Sequence, residues 1–199
     1  MSGPISQPVI TLLTDFGEGS YVASMKGVLL TLVPHGTIVD ITHDVTPGAI
    51  SPAGYLLRHT AGHFPAGTVH IAVVDPGVGT DRLPLVIETD KAFFVGPDNG
   101  LFHEVIRSAD EAQAFQVTKG PWMPETICPT FHGRDLFSPV AGRLARGEPA
   151  ARFGSPIDLD ALISSPVPAP RRRGRTIVGQ VVWVDNFGNL ITNIEKGDV

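Results

Sequence analysis

Two aspartates stand where an α/β sheet would present groups to a ligand. Asp15 follows Val9-Ile-Thr-Leu-Leu-Thr14, and Asp75 follows Thr68-Val-His-Ile-Ala-Val-Val74. Both runs are short, apolar and rich in β-branched residues, as buried strands are. In an open parallel sheet, ligands bind beyond the carboxyl ends of the strands. Each aspartate opens a glycine-containing turn, Asp15-Phe-Gly17 and Asp75-Pro-Gly77, where backbone can approach a ligand closely. Asp is also a common turn former. Taken singly, either residue reads equally well that way; the pair in one sheet points to a site.

The most distinctive segment is Val74-Asp-Pro-Gly-Val-Gly-Thr-Asp-Arg82. It begins like a dinucleotide fingerprint but places Arg82 where the third glycine belongs. A phosphate-binding GxxxxGK[ST] loop and a GxSxG nucleophile elbow are both missing. Thr130-Phe-His-Gly-Arg-Asp135 sets a His, an Arg and an Asp within four residues, just ahead of a predicted helix. His132 is the side chain type that titrates nearest neutral pH. The plainer reading is that Asp135 caps the helix and His132 is incidental. Gly96-Pro-Asp-Asn-Gly100 reads as a structural turn, with a place at the same mouth as the alternative. His59 and His63 have the spacing of a metal pair on a helix but lack the Glu of HExxH and a third ligand, so no metal is expected. Cys128 has no evident activating partner and reads as a packing residue.

These residues need a scaffold, and the composition allows one. The chain has 199 residues, 42% of them apolar, enough for one full α/β domain plus a small extra piece. A net charge of −5 is unsuited to nucleic acid, which needs a basic face. One cysteine permits no internal disulfide, so a reducing, cytoplasmic setting is expected. No apolar run is long enough to span a membrane, and MSGPISQP does not read as a signal peptide. Strands are predicted at 9–14, 37–41 and 68–74, with helices at 20–33 (Ser20 as N-cap) and 50–64, the alternation of a parallel sheet. Residues 84–88 and 92–95 predict a hairpin, and 101–106 and 135–145 two short helices. Proline content and the solvated cluster Arg171 to Arg175 mark 155–174 as a linker after a domain at 1–154. Two strands, 176–184 and 190–194, then flank Asp185-Asn-Phe-Gly-Asn189 in a unit at 175–199, and a pair alone is marginal in water.

Taken together, Leu13-Thr-Asp-Phe-Gly17, Asp40-Ile-Thr-His-Asp44 with Pro47, Val73 to Gly79 with Arg82, Gly96 to Gly100, Phe131 to Asp135, and Asp185 to Asn189 with Thr192-Asn193 occur in an order that resembles the SAM hydroxide adenosyltransferases, relatives of the SAM-dependent fluorinase and chlorinase. The resemblance runs from about Val9 to Ile194. It implies an α/β domain with a mostly parallel sheet in three layers, followed by a small β-barrel domain. Of that barrel, only the beginning is expected here, because members of the family continue well past Asn193. It also implies conversion of S-adenosyl-L-methionine (SAM) and hydroxide to adenosine and L-methionine, with SAM as substrate and no cofactor, in a homotrimer whose sites lie between subunits. The family's Asp-Arg-His triad falls on Asp75, Arg82 and His132. Its ribose carboxylate falls on Asp15, its methionine contacts on Asp185 and Asn189, and an adenine contact near Phe187.

The chemistry suits these residue types. Attack at the 5′ carbon is an in-line displacement, and the sulfonium leaves without a general acid. What remains is to align and activate water. Alignment alone can be worth effective molarities of about 10⁵ to 10⁸ M. Either Asp75 or His132 can accept the proton, and Arg82 can orient Asp75 and favour hydroxide. Asp15, ionised, can accept from two vicinal hydroxyls. A halogenase is the near alternative; halide needs no base, and those relatives carry an uncharged residue at the position of Asp75. A SAM- or adenosine-binding protein without catalysis is a further alternative.

Overall fold

The computed structural model describes residues 7–198. The signal-peptide reading rests largely on residues 1–6, which lie outside the described residues. The first half alternates as expected: β1 (Val9–Thr14), α1 (Ser20–Leu32), β2 (Thr37–Thr42), α2 (Ile50–Ala61) and β3 (Thr68–Val73). β4 (Pro84–Thr89) and β5 (Ala92–Pro97) form the expected hairpin. Then come α3 (His103–Ser108), β6 (Ala112–Val117), a π-helical turn (Gly133–Phe137), α4 (Ser138–Leu144) and β7 (Gly154–Ile157). Short strands β8 (Arg171–Arg173), β9 (Thr176–Val178), β10 (Val181–Val184) and β11 (Leu190–Thr192) follow.

A seven-stranded sheet in the order β2-β1-β3-β5-β4-β6-β7 organises the molecule. β2, β1, β3 and β5 run parallel; β4, β6 and β7 add antiparallel pairs. Successive strand residues face opposite sides, and the sheet accordingly feeds two cores. Ile10, Leu12, Ile71 and Val73 pack with Met25 and Leu29 of α1 and with Val140 of α4. Leu13, Ala72 and Val74 pack with Leu57 of α2 and Val105 of α3. Helices therefore cover both faces, and β3, central in the sheet, is buried along its whole length. Within it His70 is fully buried, bonded through Nδ1 to Thr11 Oγ1 at 2.7 Å and stacked 5.0 Å from Phe94. Burial pushes its pKa down to about 4.

Several boundaries differ from expectation. Gly19, not Ser20, occupies the cap position of α1, and no side chain caps it. α3 begins at His103, because residues 99–101 form a turn in which Leu101 N–H donates to Asn99 Oδ1. The helix expected from Asp135 starts at Gly133 as a π-helical turn. β6 is a strand that sequence reasoning did not anticipate. The stretch 155–174 is more than a linker, since it contains most of β7 and all of β8. Pro156 fits in β7 because that strand is the sheet's edge, where a missing N–H is tolerated. The strand expected at 176–184 breaks at Gly179-Gln180, where Gln180 N–H donates to Asn193 Oδ1. β8 pairs with β9, and β10 with β11, in two small antiparallel sheets. β10 sits against α2, with Trp183 6.1 Å from Tyr55, and Glu195 bonds Arg58 at 2.5 Å. Among the described residues, no helix is long and apolar enough to cross a membrane.

Candidate active site

The register of β1 and β3 pairs Thr14 with Val73. Asp15 and Asp75 therefore leave the same carboxyl-terminal end of the sheet from neighbouring strands. After Asp75 the chain folds into a tight loop, with Val78 N–H donating to the Asp75 carbonyl and Thr80 N–H to that of Gly77. The loop returns Arg82 onto Asp75. Arg82 Nε lies 3.1 and 3.0 Å from the two carboxylate oxygens, and Nη2 lies 2.6 Å from Oδ2. Both side chains are buried, at 7% and 3% exposure. Arg82 also lies over the Phe137 ring at 5.3 Å.

Arg82 Nη2 reaches His132 Nδ1 at 2.6 Å. The three residues of the sequence-derived triad thus form one hydrogen-bonded chain, Asp75–Arg82–His132. Glycines permit the approach. Gly79 has φ +79°, and a Cβ there would meet the Pro129 carbonyl oxygen at 2.9 Å. A Cβ on Gly133 would press on Met25 Sδ at 3.0 Å and on Phe16 at 3.3 Å. Phe16, next to Asp15, packs on Phe131, next to His132, at 6.2 Å, and Tyr21 packs on both. These aromatics join the two turns; sequence reasoning assigned them no part.

A guanidinium can only donate, so His132 Nδ1 is an acceptor and the neutral ring carries its proton on Nε2. Burial, and then the charge of Arg82, lower the His132 pKa against the opposing pull of Asp75 and Asp135. The imidazole is therefore neutral at neutral pH. Asp135 is neither a cap nor a member of this chain of bonds. It accepts from Cys128 N–H at 2.8 Å and from Arg134 at 2.6 and 2.9 Å, closing the loop that carries His132. The Arg134 bond holds its carboxyl below the usual range.

Asp15 is half-buried, and its Oδ2 accepts from Gly48 N–H at 2.8 Å. Its neighbours are pinned. Phe16 N–H donates to Thr14 Oγ1 at 3.2 Å, and Gly17 N–H donates to the His43 carbonyl at 2.8 Å. Thr14 Oγ1 meets His43 Nδ1 at 2.8 Å. His43 Nε2 comes within 3.1 Å of Asp40 Oδ1 without the alignment of a hydrogen bond, and it is buried with no hydrogen-bond partner. Asp40 in turn holds Lys26 at 2.5 Å. Burial raises the Asp40 carboxyl, but its contacts with Lys26 and His43 outweigh this and keep it low.

The remaining sequence-derived residues stand apart. Asp185 Oδ1 accepts from the N–H groups of Phe187 and Asn189 at 2.9 and 2.8 Å, and Oδ2 from Asn189 Nδ2 at 2.7 Å. This turn is self-contained, Phe187 is 92% exposed, and none of these bonds reaches the Asp15 or Asp75 turns. Asn193 ties the C-terminal segments together, donating to the Pro168 carbonyl and accepting from Gln180. The turn at 96–100 is structural: Asn99 Nδ2 donates to the Val74 carbonyl, and Asp98 Oδ1 accepts from Ile163 N–H. Two clefts of about 410 and 460 Å³ flank α2, and neither is lined by Asp15, Asp75, Arg82 or His132. Among the described residues, no three His, Cys, Asp or Glu side chains cluster as metal ligands; His59 Nδ1 bonds the Tyr55 carbonyl instead.

The family model of the SAM hydroxide adenosyltransferase N-terminal domain matches residues 10–154. An (R)-S-adenosyl-L-methionine hydrolase from Salinispora arenicola (strain CNS-205) is 38% identical over 187 residues, covering 93% of this chain and 71% of that protein. A fluorinase from Actinoplanes sp. (strain N902-109) is more distant, 27% identical over 218 residues, 96% of this chain and 73% of that one. A crystal structure of an uncharacterized conserved protein from Thermotoga maritima superposes with a TM-score of 0.86 at 36% identity, over 93% of this chain and 71% of that one. With its sheet, its ordered motifs and these relatives, the chain belongs to the SAM hydroxide adenosyltransferase family.

Proposed function

We propose that this protein hydrolyses S-adenosyl-L-methionine to adenosine and L-methionine, with Asp75, Arg82 and His132 handling the attacking water. The observation that carries the reading is the buried hydrogen-bonded chain in which Arg82 joins Asp75 to His132. In the reaction, a water oxygen bonds to C5′, the C5′–S bond breaks with its electrons going to sulfur, and one proton is released. With Nδ1 engaged by Arg82, His132 offers Nε2–H and orients the water as a donor. Asp75 is then the acceptor side, since its Oδ1, which takes only the Arg82 Nε bond, keeps a free lone pair. Arg82 favours hydroxide over water through its charge in a site shielded from solvent. Asp15 has Oδ1 free, and Oδ2 can accept a second bond, which suits the ribose diol.

Asp185, Phe187 and Asn189 belong to the same proposal as groups supplied by another copy of the chain, in a homotrimer. Their distance in bonding from the Asp75 turn and the exposure of Phe187 support this. The division into 1–154, 155–174 and 175–199, the last as the start of a β-barrel, and a cytoplasmic setting are part of the same reading. No cofactor enters it.

Incubation with SAM, followed by chromatography, tests the function. Adenosine should form, and a 5′-halogenated adenosine on adding chloride or fluoride would overturn water as nucleophile. SAM binding without adenosine would make the protein a binder only. Asp75→Ala and His132→Ala should lower turnover far more than they weaken SAM binding; a fully active His132→Ala would remove that residue from the mechanism.

A further inference from the structure

The motif Asp40-Ile-Thr-His-Asp44 is absorbed by none of the roles above, yet its histidine lies against the turn that carries Asp15. We propose that His43 is a positioning residue for Asp15, holding the carboxylate in the orientation that receives the ribose diol. This rests on the reading of Asp15 as the diol's partner.

His43 grips both flanks of Asp15. Its ring meets the side chain of Thr14, the residue before, and its carbonyl receives the N–H of Gly17, two residues after. Thr14 Oγ1 also accepts from Phe16 N–H. With the proton of His43 on Nε2, Thr14 O–H donates to Nδ1 and is left with lone pairs for Phe16. In that tautomer Nε2–H lies 3.1 Å from the Asp40 carboxylate, a close polar contact rather than an aligned hydrogen bond, and Asp40 is itself anchored by Lys26 from α1. Because the side chain is 12% exposed, the ring is confined. These contacts, from Lys26 through Asp40, His43 and Thr14, thus span α1, β2 and β1, and end on the backbone around Asp15. Gly48 N–H secures the carboxylate itself. His43 does not reach the Asp75–Arg82–His132 chain through any of these bonds, so its effect falls on binding of the ribose rather than on the attacking water.

The test is steady-state adenosine formation from SAM by the full chain carrying His43→Ala, His43→Asn, Asp15→Ala, and His43→Ala with Asp15→Ala. Asparagine places an amide where Nδ1 stood and can keep the Thr14 bond. His43→Ala should raise KM for SAM about tenfold with little change in kcat, as expected for misplacing one charge-assisted hydrogen-bonding group. His43→Asn should recover most of that loss. In the Asp15→Ala background, His43→Ala should add less than about twofold, because residues acting through one another are non-additive. A KM that rises in Asp15→Ala but not in His43→Ala overturns the proposal and leaves the diol reading intact. So does full additivity in the double variant. An unchanged KM in Asp15→Ala overturns the diol reading, and the role of His43 falls with it. Should His43→Ala not fold, Thr14→Val removes the His43 bond together with that from Phe16 N–H, whereas Thr14→Ser keeps both; KM should rise in the valine variant and recover in the serine one, and an unchanged KM in Thr14→Val again overturns the proposal.

Discussion

At the residue scale, the site depends on geometry that only one side chain supplies. Arg82 makes a forked contact to Asp75 and still has Nη2 for His132. A lysine has a single ammonium and cannot span both. Arg82→Lys should therefore lower kcat by about two orders of magnitude, as loss of one preorganised electrostatic donor does; retention of more than half the kcat would contradict the proposed chain of bonds. His132 supplies the second prediction. Its pKa is lowered by burial and by Arg82, so the neutral, Nε2–H form persists below the ordinary histidine range. Protonation at Nδ1 would break the Arg82 bond. The acidic limb of a kcat/KM profile should consequently lie below pH 6.5, the ordinary histidine value. A limb above that value would mean that another group controls the descent. The residues of this chain of bonds were legible in the sequence, as a strand-end carboxylate, an arginine in a glycine's place and a turn histidine. Their order of bonding was not, because spacing carries no information on which ring nitrogen meets which donor.

Among the elements, β3 leads into the Asp75 turn and carries a buried histidine. The folded-state pKa of His70, about 4, lies below its ordinary 6.5. The unfolded chain therefore binds this proton first as pH drops. Stability from keeping His70 neutral is present above pH 6.5 and is lost as pH falls toward 4, by roughly 3 kcal/mol in total. Urea unfolding between pH 6.5 and 5 should show this slope in the native protein and a flatter one in His70→Gln; equal slopes would refute the assignment. The glycine loop gives another test. Gly79→Ala sets a side chain at φ +79° and against the Pro129 carbonyl, so it should cost about 1–3 kcal/mol in thermal unfolding and lower turnover. The parallel half of the sheet was readable because its strands are short runs rich in β-branched and apolar residues that alternate with helical segments, even in β2, where Asp40 interrupts the run. β6, Ala112–Val117, carries two glutamines, and β7 contains Pro156; both exist because neighbouring strands offer unpaired edges, a tertiary cause invisible in local pattern. The π-helical turn under His132 is likewise set by packing of Phe131, Leu136 and Phe137 into the core of α1 and α4.

At the scale of the whole molecule, the proposed site is divided. One part lies at the carboxyl ends of β1 and β3, and the Asp185 turn lies with the strands packed on α2. If the turn serves another copy, inactive His132→Ala and Asp185→Ala proteins, unfolded and refolded together, should regain activity because some sites then combine two intact halves. No recovery, with mixed oligomers shown to form, would place each site within one chain. Phe187→Ala should leave the melting temperature unchanged, since the ring is 92% exposed, while weakening SAM binding; a large thermal shift would instead make it structural. The pairing of Thr14 with Val73 has a wider consequence. The spacing between Asp15 and Asp75, which the proposal makes the ribose anchor and the nucleophile holder, is set by two adjacent strands, about 4.8 Å apart through backbone hydrogen bonds. Main-chain pairing does not depend on which apolar residues fill the layers around it. Interior substitutions that keep this pairing leave Asp15 and Asp75 in place relative to each other, and under the proposed mechanism a replacement of Asp75 would change how the nucleophile is held without disturbing the partner of the ribose diol. Such a scaffold lets chemistry diverge faster than architecture.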